Sequence, residues 1–497
     1  MCENGYGAAT RRATGGKHPI LSVLGTVSGS RPDLRREESV MALPTTGTGP
    51  RTTTGTDAPV RRRTGRWIDD WDPEDATFWE ETGRPVARRN LIVSILAEHL
   101  GFSVWMLWSI VAVNLDAAGF SLTDSQLLWL VAVPSLVGAT LRLPYTFAVG
   151  LFGGRNFTIV SALLLLIPTI GLAVVVQRPD TPFWILLLVA ATAGLGGGNF
   201  ASSMTNISYF FPEKEKGLAL GLNAAGGNIG VAVVQAPFVV TAVVTAGGGL
   251  VLWRAGLMWV PLVLLAAFLA WKAMDNLSTA QADFSTSAAA AKRPHTWVMA
   301  FLYIGTFGSF MGYAAAFPML IKMEFAEVNP TSWAFLGALV GSLARPFGGR
   351  LSDRVGGAVV TAASFVVMGV GVLSAVFALR AGSFGLFLCA FLVLFVATGV
   401  SNGSTYRMIP AIFRATADEG AEGTVRAKRE AAAAIGIISA VGAFGGFFVP
   451  RIYSWASETT GSIEPAMFVY VGVYGTMLAV TWLAYLRPGA AMAKARV

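Results

Sequence analysis

The chain has 497 residues, 54% of them hydrophobic and only 13% charged, about half the roughly 25% charged share of a soluble globular protein. That composition excludes a water-soluble fold. Two cysteines, Cys2 and Cys389, and three scattered histidines, His18, His99 and His295, exclude a disulfide framework and give no reason to expect a metal centre or any other cofactor. The formal charge of +8 is read as membrane topology rather than nucleic-acid binding, because the cations gather beside apolar runs.

Residues 1–66 are rich in Gly, Thr, Pro and Arg, with Arg61, Arg62, Arg63 and Arg66 clustered, and read as a disordered basic cytoplasmic tail with no secretory leader. Met41 is a second candidate start within it. Residues 67–90 set Trp67, Trp71, Phe78 and Trp79 among acids, the pattern of a segment lying at the membrane surface. Apolar runs of transmembrane length follow, each needing about 20 residues to cross about 30 Å of hydrocarbon. Twelve are expected, over residues 91–113, 126–150, 156–176, 183–211, 216–244, 251–272, 296–321, 332–352, 358–379, 384–412, 430–456 and 465–486. The fold class predicted is therefore an all-α integral membrane protein: a six-helix half over 91–272, a linker over 273–295, a second six-helix half over 296–487 and a short tail over 488–497. Lys214, Lys216, Lys272, Arg350, Arg354, Arg414 and Arg429 fall on one set of connections, and Arg178, Lys322 and Arg380 on the sparse opposite set. The positive-inside rule then places both termini in the cytoplasm of a multi-pass protein of the inner (plasma) membrane. A monomer in the lipid bilayer is expected.

The two halves repeat. Arg142 and Pro144 followed by Gly153-Gly154-Arg155 return as Arg345 and Pro346 followed by Gly348-Gly349-Arg350, an offset near 200 residues, and the glycine-rich fourth span matches the tenth at a similar offset. Six plus six helices in parallel repeat resembles the plan of the major facilitator transporters, whose site lies at the midplane between the halves. The loop from Gly348 to Gly357, with Asp353 and Arg354, resembles the signature loop of that superfamily.

Arg142 and Arg345 lie well inside the second and eighth spans, where each charge costs about 2.5–3.5 kcal/mol on insertion scales. Neither span carries an acid beside its arginine; Asp353 sits two turns further on. Two equivalent buried guanidiniums point to one shared anion, and their planar paired donors suit a small oxyanion. The run Gly194-Leu-Gly196-Gly197-Gly198-Asn199-Phe200 lets a helix come close and offers Phe200 as a flat wall, and Asn199, Asn206, Asn223 and Asn228 are amides at lipid depth that need partners.

The stretch from Gly196 through Asn199-Phe200-Ala-Ser-Ser203 to Pro212, then Lys216 to Asn223 and Gly227-Asn228-Ile-Gly230, resembles the first nitrate signature of the nitrate/nitrite porter (NarK-type) family. Gly403-Ser404-Thr405 with Ile412-Phe413, then Gly436 to Phe448, resembles the second, and Asp70-Trp71-Asp-Pro73-Glu74-Asp75 is similar to the lead-in of such members. The likeness covers about residues 67–487. It implies nitrate and nitrite as substrates held between Arg142 and Arg345, with Gly197, Phe200, Asn228, Tyr303 and Phe307 lining the site. Tyr303 is expected to donate a hydrogen bond and the phenylalanines to sandwich the planar anion. Transport rather than enzyme chemistry is expected, and nitrate/nitrite antiport by alternating access is the leading mechanism.

Glu98, with His99 beside it, disturbs that picture. It lies about 10 Å into the first span at 1.5 Å per residue, at a position where family exchangers are apolar. Two readings stand: a proton carrier, making the protein a nitrate/proton symporter, or a carboxylate paired with Arg88, Arg89 or another loop arginine. Arg407 in the tenth span is a further charge that either pairs with Glu98, adds to the positive field or lines the exit path. A nitrate sensor built on a transporter scaffold is the remote alternative, since residues 1–90 show no folded signalling domain.

Overall fold

The computed structural model describes residues 61–281, 283–489, 491–494 and 497; residues 1–60, including Met41 and most of the expected tail, lie outside the described residues. Among the described residues twelve helical spans follow one another: α1 Arg84–Asn114, α2 Asp124–Phe152, α3 Gly154–Val175, α4 Phe183–Phe210, α5 Glu213–Gln235, α6 Arg254–Ala273, α7 Pro294–Glu324, α8 Ala334–Val355, α9 Gly357–Arg380, α10 Phe384–Ala415, α11 Ala421–Thr460 and α12 Glu464–Leu486. Eleven are long and apolar enough to cross a membrane. The exception, α8, has 22 residues, enough for about 33 Å at 1.5 Å each, but Arg345, Arg350, Asp353 and Arg354 lower its hydropathy. Large outward side chains such as Leu151, Phe238 and Phe377 are exposed, as a hydrocarbon-facing surface requires.

Within the first half α2 packs on α4 and α1 on α5; within the second α8 and α9 pack on α10. The halves meet where α1 touches α7, α2 touches α11 and α5 touches α8. The repeat is geometrical as well as sequential. Gly153 ends α2 at φ 85° and Gly356 ends α8 at φ 99°, both left-handed turns that glycine alone adopts easily, each eleven residues after its arginine. Helix ends depart from the expected spans where local chemistry dictates. The fifth breaks after Gln235, because Ala236 is extended before Pro237, which has no N–H to continue the ladder, and helical turns resume over Pro237–Thr241 and Ala242–Val244. The eleventh starts at Ala421 rather than 430, its first turns being polar.

Residues 61–66 were expected in the disordered tail, and the structure corrects this. Arg62–Arg63 (β1) pairs antiparallel with Trp67–Ile68 (β2), which pairs parallel with Asn276–Leu277 (β3) from the segment after α6. The fastener is Asp275, whose side chain is fully buried and meets Arg62 at 2.8 Å, Arg66 at 2.9 Å and Arg89 at 2.5 Å. Burial alone raises its carboxyl, but the hydrogen bond and charge of Arg62, with Arg66 and Arg89, outweigh that and hold it below the ordinary aspartate value. In the segment expected at the membrane surface, Trp71 and Trp79 are buried, meeting Phe210 at 5.3 Å and Phe211 at 5.6 Å in edge contacts. Their rings face the end of α4.

Candidate functional site

Both arginines are carried to the centre by close helix pairs. At Gly197 on α4 an added Cβ would meet the Trp105 ring at 2.6 Å and Gly138 of α2 at 3.0 Å, so only glycine lets α4 approach the helix bearing Arg142. In the second half, an added Cβ on Gly403 of α10 would clash with the Arg345 carbonyl on α8. In α7 the backbone loosens into a wide π-turn over Ile304–Gly308, next to Tyr303 and containing Phe307; such bulges re-aim side chains and recur at functional sites.

Arg142 is fully buried. Its Nε donates to the Gly197 carbonyl at 3.2 Å and its Nη1 crosses to the Ser439 carbonyl of α11 in the other half at 3.0 Å. Its Nη2 has no partner among the described residues. The guanidinium lies 4.6 Å from the Phe200 ring, 4.8 Å from Phe307 and 5.5 Å from Trp105, all within cation–π range. Arg345 is 7% exposed, lies 6.0 Å from the same Phe200 ring and 5.5 Å from Tyr406, and leaves its Nη1 unpartnered. The two arginines therefore share one aromatic wall, contributed by opposite halves, and each keeps a free donor. Phe200 and Phe307 face each other at 6.3 Å and 26° from parallel. A flat anion between them needs about 7 Å, twice a van der Waals contact, so the rings part by less than about 1 Å to admit one.

The remaining candidates divide. Tyr303 stacks on Phe307 at 5.4 Å, but its hydroxyl donates to Asn402 Oδ1 at 2.9 Å. Asn228 is buried with Oδ1 unpartnered and makes no hydrogen bond to either arginine among the described residues. His99 is tied to α5, its Nδ1 donating to the Gly226 carbonyl at 3.0 Å. Arg407 is turned away from the centre and paired with Asp353 at 2.5 Å, both largely exposed, which corrects a pairing with Glu98. Glu98 itself is fully buried: its Oε2 accepts from Ser203 at 2.5 Å and from Asn223 at 2.6 Å, and its Oε1 has no partner. The alternative that it pairs with a loop arginine is overturned, because Arg89 is engaged by Asp275 and among the described residues Glu98 forms no ion pair. Trp105, Asn402, Tyr406 and Ser439 join the site without having been expected. Asn402 had a visible signal, since it stands in the repeat position of Asn199, which was singled out.

Residues 99–450 match the family model of the Major Facilitator Superfamily. The chain is 42% identical over 446 residues to the "Nitrate/nitrite transporter NarU" of Salmonella typhimurium, covering 84% of this chain and 96% of that one. The chain belongs to the nitrate/nitrite porter family of the major facilitator superfamily. A second relative of the porter family, the "Probable nitrate/nitrite antiporter NarK2" of Thermus thermophilus, is 37% identical over 86% of this chain and 98% of its own. Among solved structures, the xylose transporter XylE from E. coli in a partially occluded inward open conformation superposes with a TM-score of 0.61 at 15% identity, over 80% of this chain and 99% of that one. That likeness establishes the major facilitator fold, so this porter-family chain is a multi-pass membrane transporter.

Proposed function

We propose that this protein carries nitrate and nitrite across the inner membrane, with both termini cytoplasmic, by alternating-access exchange of one anion for the other. The anion is held between Arg142 and Arg345, with Phe200 and Phe307 on its faces. The observation that carries the reading is the pair of buried guanidiniums from opposite halves, each with an unpartnered N–H beside one phenylalanine. Such donors suit a small planar oxyanion that accepts edge-on from both, and the names of the 42% and 37% identical relatives point to the same substrates. Exchange follows from electrostatics: closing an empty cleft brings two like charges together in low dielectric, and a bound anion relieves that.

The test is counterflow of labelled nitrate into nitrite-loaded proteoliposomes by wild type, Arg142→Lys and Arg345→Lys. Lysine keeps the charge but loses the fork, and a charge-assisted hydrogen bond contributes about 1.5–3 kcal/mol, so each variant is expected to raise the nitrate KM at least about tenfold. Wild-type affinity in both would sink the two-arginine site. Nitrate/proton symport through Glu98 stands as a second reading, favoured by a fully buried carboxyl that no cation pairs among the described residues.

A further inference from the structure

The fastener at Asp275 is out of charge balance. Arg62, Arg66 and Arg89 meet its one carboxylate, and Arg155 at the start of α3 lies against the same cluster with no ion pair of its own among the described residues. Its Nη1 donates to the Gly65 carbonyl at 3.4 Å, and its Nε and Nη2 donate to the Trp271 carbonyl of α6 at 3.0 and 2.7 Å. Four cations to one acid leave three positive charges uncancelled. Asp69, just after β2, is taken by Arg63 at 2.6 Å. The guanidiniums also have donors to spare. Arg62 reaches Asp275 through Nε alone, while Arg66 and Arg89 use Nε and Nη2 on Asp275 and on the carbonyls that end α6. Both terminal nitrogens of Arg62 and the Nη1 of Arg66 and of Arg89 make no hydrogen bond among the described residues. These side chains are 29–38% exposed whereas Asp275 is fully buried, so the spare donors open outward.

What adjoins them is lipid-facing surface. Beside Asp275, α1, α3 and α6 close on Val93, Ile159, Ala270 and Met274, and on the outside of the same three helices Ile92, Val160, Phe268 and Trp271 are exposed. Lys272 holds its ammonium 5.9 Å from the centre of the Phe268 ring, and Phe268 and Trp271 stand 5.9 Å apart. Aromatic rings with a snorkelling cation mark the level of the lipid head groups. A phosphodiester at that level accepts from guanidinium forks while its acyl chains run down the apolar faces. We propose that the arginine cluster around Asp275, with Lys272, holds the head group of an anionic phospholipid from the leaflet on the linker side. The lipid supplies the negative charge that Asp275 alone does not, and so fastens the arm before β2, α1, α3 and the segment after α6 to one another. A free phosphate ion would meet the same donors but gain nothing from Phe268 and Trp271, which makes lipid the occupant.

The test titrates delipidated full-length protein in detergent with phosphatidylglycerol, or with zwitterionic phosphatidylcholine of the same chains, and counts bound lipid by native mass spectrometry. Wild type is compared with Lys272→Gln, Arg155→Gln and Arg350→Gln, the last an exposed cation of α8 at the repeat position of Arg155. Wild type is expected to bind phosphatidylglycerol at least about tenfold more tightly than phosphatidylcholine. Lys272→Gln and Arg155→Gln should each weaken phosphatidylglycerol about fivefold, the worth of one basic side chain at an anionic leaflet, and Arg350→Gln should leave it unchanged. Lys272 is exposed, so its variant is expected to melt with wild type in the absence of lipid, and it decides the matter if Arg155→Gln does not fold. Equal affinity for the two lipids overturns the site, and so does an equal loss in Arg350→Gln, which would reduce the effect to the diffuse charge of this face. Displacement of phosphatidylglycerol by millimolar inorganic phosphate would make the cluster a site for free anions and overturn the lipid as its occupant.

Discussion

Tyr303 shows how little freedom a buried hydroxyl has. It owns one proton, and that proton goes to Asn402 at 2.9 Å, so it can donate to an anion only by releasing the amide. Two substitutions separate the roles. Tyr303→Phe removes any donor to the anion, while Asn402→Ala frees the hydroxyl to turn. If the tyrosine does reach nitrate, Tyr303→Phe raises the KM in counterflow by about tenfold, the value of one hydrogen bond to a charged group, and Asn402→Ala leaves it near wild type. Equal effects from both would mean that the pair only fastens α7 to α10. At this scale the arginines themselves were readable from the sequence, because a charge at lipid depth is expensive enough to announce itself and their repeat positions announce it twice. Trp105 and Ser439 were not, since their bearing on Arg142 depends on how α1 and α11 pack around it, and neither side chain is unusual in an apolar run.

Among the elements, the small sheet beside the linker is the least expected. Strands of two residues leave no periodicity, and the partner of β2 lies some 200 residues further on, so nothing local distinguishes Arg62 and Arg66 from a solvated basic tail. What orders them is one buried acid. Because Asp275 is held below its ordinary range, its contribution is fully present above the unfolded aspartate value of about 3.9 and is lost as pH falls through the lower folded value. Asp275→Asn is therefore expected to lower stability by about 1–3 kcal/mol, the cost of stripping a buried hydrogen-bonded charge from its partners. The gap in melting temperature from wild type in detergent should hold constant between pH 8 and 5 and close only below about pH 4. A gap that shrinks already between pH 8 and 6 would show that some other group carries the fastening. The long spans were legible by contrast, because apolar length is a property each helix carries alone; α8, whose charged end lowers its hydropathy, also repeats the motif of α2.

For the whole molecule, the question is which face is shut. On the face away from the linker, α2 and α11 are latched across the halves: Ser125 bonds Ser454 at 3.0 Å and also reaches Glu458, and the Arg451 guanidinium lies 3.7 Å from the centre of the Trp129 ring. Lys322 at the end of α7 meets Asp116, just after α1, at 2.5 Å. All of these contacts join opposite halves, so an anion reaches this face only if the halves swing apart here. Moving the halves about a fixed central site is how parallel-repeat carriers alternate access, and the hydrogen-bonded serines give a place to stop it. Their hydroxyl oxygens are close enough that cysteines at both positions fall within reach of a disulfide, whose Cβ atoms sit about 3.5–4.5 Å apart. In a background with Cys2 and Cys389 changed to serine, oxidised Ser125→Cys/Ser454→Cys protein is expected to lose at least about nine-tenths of its nitrate counterflow, since a bond of fixed geometry holds this face closed. Reductant should restore it. If the bond forms, as judged by blocked thiol labelling, and transport continues, the latch is not a gate and the anion must leave by a path that does not part α2 from α11.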